Sequence, residues 1–331
     1  MKTWRVECRS FLSVWKDEEG KEVLDGRNNL GVQSINVTMV ALDSKGDFDK
    51  FWEILEQRCE VAHLGLQARI KSFDGVTAAV APVLYRDGGF GVNLEKEAPI
   101  SELFKNGRSS ISLGYIGLAE TAYFMFKTNS IVNNKEAYNF TLDVAKFLRK
   151  KCDMWKKEEG YGYSLYSSPS EGYSLRALEK CKDRHGLVEN VTDKEYLTNS
   201  FHVDVREKIS PFEKISYEAP FHWIASAGHI TTVEFPDMKE RLDSLEIVWD
   251  YAINETDYFS TNTGIDTCTC CGEVGEFALA GDGYYVCPNC GNNDPEKMQV
   301  CRTISGYLGS IAQRPVNKGK AQEFILREKH M

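Results

Sequence analysis

Four cysteines carry the clearest chemistry in this sequence. Cys268 and Cys271 form one C-x-x-C pair and Cys287 and Cys290 a second, with fifteen residues between the pairs. This spacing predicts a zinc site, because two sulfurs separated by two residues on a tight turn can reach one tetrahedral ion. Gly272 and Gly291 directly follow the pairs and suit such turns. Cys270 would allow another register in the run CTCC, and the two-residue spacing favours Cys268 with Cys271. Four thiolates saturate zinc and leave no position for a reactive water, so the site reads as structural, with an iron–sulfur cluster as the lesser competitor.

The elements around these cysteines predict an α/β architecture over residues 8–260. Gly31 to Val37 has the two-residue period of a strand, whereas Phe48, Phe51, Trp52, Leu55, Cys59, Ala62 and Leu66 recur at helical spacing and predict a buried stripe. Glu136 to Lys150 predicts a second helix, with basic residues at the end that favours them. Asn199 to Val205 and His229 to Phe235 again alternate apolar and polar residues and predict strands. Composition then shifts to Gly, Cys, Asn and Asp, which marks 261–299 as a small separate module. Within it Phe277–Leu279 and Tyr284–Val286 would be the arms of a hairpin.

The whole sequence of 331 residues holds 49 acidic and 40 basic side chains, a net charge of −9, and 42% hydrophobic residues. That composition suits a soluble globular protein and opposes a surface that tracks nucleic-acid phosphate. No run of about 18 apolar residues exists, and the polar start does not read as a secretory signal, so a cytoplasmic location without membrane contact is expected. In that reducing compartment clustered thiols point to metal or catalysis, and the four Asn-x-Thr tripeptides carry no meaning as glycosylation sites.

After the second cysteine pair comes VCRTISGYLG, residues 300–309, and near the end Arg327 to His330 reads R-x-x-H. Together with the cysteine pairs, this segment closely resembles the anaerobic, class III ribonucleotide reductases, a glycyl radical enzyme family. Blocks in the same order extend the likeness from about residue 8 to the end: CRSFLS from Cys8, GRNNLGVQSIN from Gly26, GYIGL from Gly114, SPSE from Ser168, YLTNSFHV from Tyr196 and GHI from Gly228. The resemblance implies the C-terminal half of a ten-stranded α/β barrel (8–260), a zinc ribbon (261–299) and a glycyl radical loop with its tail (300–331). It places the radical on Gly306, whose Cα radical would be delocalised over the flanking amides with no side chain to prevent planarity.

By the same resemblance Cys8 would become the thiyl radical that removes hydrogen from C3′ of the ribose of a ribonucleoside triphosphate and later returns it. Asn29 or Asn36 would face the ribose hydroxyls, and Ser168 and Ser170, flanking Pro169, would hold substrate phosphates. A radical S-adenosylmethionine activating enzyme would install the radical, with formate or a thiol system as reductant. His202 and His229 could join the site, but each sits in an alternating run where a core histidine is the simpler reading.

Two departures stand out. Thr303 occupies the position three residues before Gly306 where the family has arginine, and Arg302 lies one residue earlier. The leading residues 1–7, MKTWRVE, do not look like the family's lead into the Cys8 block and are expected to lie outside the match, and nothing corresponds to its N-terminal half. The chain is therefore expected to be a split or truncated enzyme that needs an N-terminal fragment, the assembled enzyme being a homodimer. The competing readings are a glycyl radical enzyme for another substrate, and a degenerate zinc-ribbon protein or spare radical carrier without activity of its own.

Overall fold

The computed structural model describes residues 4–6, 10–12, 15–16, 19–23, 26–279, 284–303, 308–310 and 316–331. Two short antiparallel ribbons come first, β1 (Trp4–Val6) with β2 (Ser10–Leu12) and β3 (Trp15–Lys16) with β4 (Glu22–Val23). The body is built on parallel strands. β5 (Asn28–Asn36), β6 (Ser109–Ile116) and β7 (Gly162–Tyr166) lie side by side in that order. A second parallel pair joins β8 (Thr231–Glu234) to β9 (Phe259–Asn262). The two sets are linked just before β8, where Ala227 N–H donates to Leu165 O at 2.7 Å and Ser167 N–H to Gly228 O at 3.1 Å, with both segments ascending together.

Parallel strands require crossovers, and helices supply them. Between β5 and β6 run α1 (Val37–Ser44), α2 (Phe48–Lys71) and the single turn α3 (Pro82–Tyr85). Between β6 and β7 run α4 (Leu118–Phe126) and α5 (Lys135–Glu159). Then α6 (Glu171–His185) and α7 (Pro211–Ile224) lead to β8, and α8 (Leu242–Glu255) leads to β9. The sequence punctuates these helices: Asp47 caps α2 by accepting from Lys50 N–H, Asn134 caps α5, and Ser210 with Glu213 forms a capping box on α7.

Of the stripe expected on α2, Phe51, Leu55, Cys59 and Leu66 are buried against the sheet and Trp52 and Ala62 are half-buried, whereas Phe48, in the first turn, is exposed and packs edge-on to Phe126 and Phe140. A phenylalanine such as Phe51, fully removed from water, contributes about 1.5–3 kcal/mol. All eight residues of β6 are buried, as befits a central strand covered on both faces.

Asn199 to Val205 departs from the strand expected there. It is a loop whose polar groups bond to several elements: Leu118 N–H donates to Ser200 O at 3.2 Å, and Val203 N–H to the Glu218 carboxylate at 3.0 Å. Ser200 adopts φ 41°, a left-handed conformation that breaks strand geometry. The expected strand at 229–235 is present in shortened form as β8.

Beyond β9, β10 (Asp266–Cys268) pairs with β11 (Val274–Gly275), and β12 (Ala278–Leu279) with β13 (Tyr285–Val286), the hairpin arms anticipated from sequence. β14 (Met298–Gln299) returns to β10, and β15 (Cys301–Thr303) pairs with β16 (Leu308–Ser310). The chain closes with α9 (Lys318–Ile325) and a tail bound to the body, where Glu328 N–H donates to Val205 O at 2.8 Å and His330 N–H to Glu234 O at 3.0 Å. Among the described residues no helix is long and apolar enough to cross a membrane.

Candidate functional site

The sulfurs of Cys268, Cys271, Cys287 and Cys290 all lie within 4.8 Å of one another. Two of the separations are 3.7 Å (Cys268 to Cys290) and 3.6 Å (Cys271 to Cys287). A tetrahedral ion with Zn–S bonds near 2.3 Å sets sulfurs roughly 3.8 Å apart, so the donor set fits zinc. Each pair sits on a knuckle closed by its glycine: Gly272 N–H donates to Cys268 O at 2.8 Å and Gly291 N–H to Cys287 O at 2.9 Å. Both glycines have positive φ, 78° and 68°, which a side chain would oppose. Burial opposes ionisation of Cys268, but amide donors from Cys270 and Cys271 outweigh it and hold its pKa down, as a metal ligand requires. Cys270 and Cys271 are both exposed, but only Cys271 belongs to the cluster, which favours Cys268 with Cys271 in CTCC.

Strand β10 ends in Cys268, and its first residue, Asp266, is fully buried. Asp266 forms an ion pair with Arg302 on β15 and accepts from Cys301 N–H at 3.1 Å and Phe277 N–H at 2.7 Å. Arg302, the residue displaced by one position in the sequence pattern, therefore ties the cysteine module to the segment entering 304–307. On its other side that segment is fixed to the carboxyl ends of the parallel strands. Thr303 N–H donates to Asn262 Oδ1 at the end of β9, at 2.9 Å, and Arg327 donates to Thr303 O at 2.8 Å. Arg327 also pairs with Glu234 at the end of β8, at 3.4 Å. Cys8 and Gly306 lie outside the described residues.

The other site candidates divide between the two ends of the sheet. Asn36 closes β5, Ser168 and Ser170 follow β7, and all three are at the carboxyl end. Asn36 Oδ1 accepts from Met39 N–H at 3.0 Å, which caps α1, and its amide donates to Ala177 O on α6 at 3.1 Å. Ser170, at φ 46°, precedes α6 and donates to Ser168 Oγ at 2.7 Å, and its own side chain does not cap the helix. Asn29 is seven residues from Asn36 along β5, roughly 23 Å at strand rise. It donates to Ser112 Oγ at 3.1 Å. The two asparagines therefore cannot line one ribose together.

One buried polar cluster at the carboxyl end has its anchor residues scattered in sequence. Glu218 on α7 accepts from Lys214 at 2.8 Å and pairs with His202 Nδ1 at 3.1 Å, and His229 Nδ1 shares a hydrogen bond with Ser167 Oγ at 2.9 Å. Ser167 Oγ also bonds to the Tyr115 hydroxyl at 2.7 Å. Burial opposes the charge on Glu218, but Lys214 and His202 overcome it and hold its pKa well below the usual carboxylate range. His202 and His229 are thus bonded core histidines at the edge of the site. The sequence signals for them were the YLTNSFHV and GHI blocks; Glu218 and Lys214 had none.

A family model described as "Anaerobic ribonucleoside-triphosphate reductase" matches residues 3–330, so the match takes in most of the 1–7 segment expected to fall outside it. A curated relative of that name from Escherichia coli (strain K12) is 46% identical over 324 residues, covering 98% of this chain and 45% of the relative. One from Enterobacteria phage T4 is 46% identical over 327 residues, covering 98% of this chain and 52% of the relative. The chain thus spans about half the length of the curated relatives it matches. A solved structure titled "Anaerobic ribonucleotide reductase" superposes with a TM-score of 0.67 at 21% identity, over 96% of this chain and 47% of that one, which shows a shared mixed α/β fold. Match and geometry lead to one conclusion: the chain belongs to the anaerobic ribonucleoside-triphosphate reductase family.

Proposed function

We propose that this chain supplies the radical-bearing half of an enzyme that reduces ribonucleoside triphosphates to deoxyribonucleoside triphosphates, working with the remaining half of the family's length. The observation that carries this reading is the double anchoring of β15, Cys301–Thr303, the strand that precedes residues 304–307 in sequence. Arg302 and Asp266 hold it to the four-cysteine module, and Asn262 and Arg327 hold it to the carboxyl ends of β8 and β9, the end of parallel strands where ligands bind in α/β folds.

In this reading the parallel strands β5 to β9 are half of a ten-stranded barrel, and residues 261–299 form the ribbon. Gly306 holds the stable radical and passes it to Cys8, whose thiyl takes hydrogen from the ribose C3′ and later returns it. Zinc, when bound by Cys268, Cys271, Cys287 and Cys290, supplies a cross-link and no open position for substrate. Ser168 and Ser170, at the N-terminus of α6, hold phosphate. Asn29 remains a candidate for the ribose hydroxyls, whereas the bonds of Asn36 support a positioning role that joins β5 to α6. The activating enzyme of the radical S-adenosylmethionine type, formate or a thiol as reductant, assembly as a dimer and a cytoplasmic location complete the proposal.

The test is anaerobic electron paramagnetic resonance on this chain mixed with the N-terminal half of a relative, the activating enzyme, S-adenosylmethionine and a reductant. A doublet signal lost in Gly306→Ala and retained, without turnover, in Cys8→Ser supports the proposal. No signal, with zinc bound and the activating enzyme competent on another substrate, refutes it.

A further inference from the structure

Two imidazoles face one oxygen of the Glu218 carboxylate. His202 Nδ1 lies 3.1 Å from Glu218 Oε2 and His229 Nε2 lies 3.9 Å from the same atom. The three residues present one ligand atom each within 4.8 Å of one another. The longer separation exceeds a direct hydrogen bond. Donors on one ion with bonds near 2.1 Å stand roughly 3.0–3.5 Å apart, so a shift of His229 by about half an ångström would bring all three onto one centre. The other carboxylate oxygen, Oε1, accepts from Lys214 Nζ at 2.8 Å and from Val203 N–H at 3.0 Å, which fixes the orientation of Oε2 toward the histidines.

The surroundings hold these groups in the manner of metal ligands. His229 Nδ1 shares a hydrogen bond with Ser167 Oγ at 2.9 Å, and Ser167 Oγ is bonded in turn to the Tyr115 hydroxyl at 2.7 Å. With Nδ1–H donating to Ser167, Nε2 keeps its lone pair for an ion; such a bond from the remote nitrogen commonly orients a ligating imidazole. Glu218 and His229 are both 0% exposed. His222 packs edge-on to His229 with ring centres 4.7 Å apart, but its Nε2 is bonded to Thr231 Oγ1 at 3.0 Å, so it serves as a wall and not as a ligand. His202 is half-buried and lines a cavity of about 60 Å³. That space exceeds the roughly 10–15 Å³ that a single water needs, and it gives an ion an entry and room for water as a further ligand.

We propose that His202, Glu218 and His229 form a second metal site, for a divalent transition ion of the zinc and ferrous class. Two imidazoles and one carboxylate oxygen suit such ions and, unlike four cysteines, leave coordination positions open. Lys214 opposes occupancy, because its ammonium already neutralises Glu218 from the Oε1 side and repels a second cation. The site is separate from the cysteine module, and it depends on neither the nucleotide nor the radical.

The experiment is equilibrium dialysis of the full chain, its cysteines first filled with one zinc, against cobalt(II). One cobalt should bind beside the zinc, with the weak d–d absorption of a nitrogen and oxygen site and without the intense thiolate charge transfer that cobalt at the cysteines would give. Proton NMR of this complex should show hyperfine-shifted ring signals from two histidines. His229→Ala should weaken cobalt binding at least tenfold while keeping the zinc, and Ser167→Ala should weaken it about tenfold, the usual cost of removing an outer partner. Lys214→Met should tighten it about tenfold by removing the repelling charge. No cobalt beyond the zinc overturns the proposal. So does cobalt with fewer than two shifted histidines, cobalt kept unchanged by His229→Ala, which would be an adventitious surface ion, or binding that Lys214→Met does not tighten. If a variant does not fold, the stoichiometry and the NMR spectrum of the unaltered chain still decide.

Discussion

Asp266→Asn should detach the strand entering 304–307 from the cysteine module. The Asp266 carboxylate is wholly buried and accepts from the Arg302 guanidinium, with one contact at 2.8 Å, and from two backbone amides at 2.7 and 3.1 Å. An asparagine keeps one acceptor oxygen, turns an NH2 toward these donors and leaves the largely buried Arg302 cation uncompensated. Removing one member of a buried pair costs about 3–5 kcal/mol. Arg302→Met should cost less, about 1–3 kcal/mol, because the carboxylate left behind keeps its two amide donors. Urea unfolding of the metal-loaded chain, read by release of zinc to a chromogenic chelator, measures both. With a slope of about 1–3 kcal/mol per molar urea, Asp266→Asn should lower the release midpoint by about 1 M or more. The double variant should fall short of the sum of the single losses, since both act on one interaction. An Asp266→Asn loss no larger than that of Arg302→Met, or strict additivity of the two, would refute this account of the anchor.

Cys270→Ser should leave one zinc per chain, measured by elemental analysis, whereas Cys271→Ser should lose tight binding, because only the latter sulfur belongs to the cluster. Asn36→Ala should destabilise the fold by about 1 kcal/mol from the lost cap on α1, with a further loss from its bond to α6, in thermal unfolding; an unchanged midpoint would return Asn36 to the substrate-contact role. Burial, aided by Lys214, lowers the His330 pKa to about 3, against 6.5 ordinarily. The unfolded chain then binds a proton that the folded chain does not, so stability should fall as pH drops from about 6.5 toward 3, by up to about 1.4 kcal/mol per pH unit. His330→Gln should flatten that slope by about one proton in urea midpoints measured across the range; an unchanged slope would show that His330 is not the group responsible.

What could be read from the sequence alone was local. The C-x-x-C pairs with their following glycines specify two knuckles through backbone geometry within a few residues, and α2 and α5 declare themselves because one face meets water while the other meets the core. The motif blocks also led to the correct family, since they are runs of neighbouring residues. Where both faces are covered the periodic signal vanishes, which is why α1, with Val37, Thr38, Val40, Ala41 and Leu42 all buried, drew no expectation. The 199–205 run misled for a related reason: its alternation reflects bonds to β6, α4 and α7 and not a strand of its own. Only the tertiary structure decided that Arg302 belongs to Asp266, that Asn29 and Asn36 occupy opposite ends of one strand, and that His202, Glu218 and His229 face one another. Each of these depends on which distant segments the parallel strands and their crossovers bring together, and a charge or orphaned polar atom acquires its energetic meaning only once burial has removed water as its alternative partner.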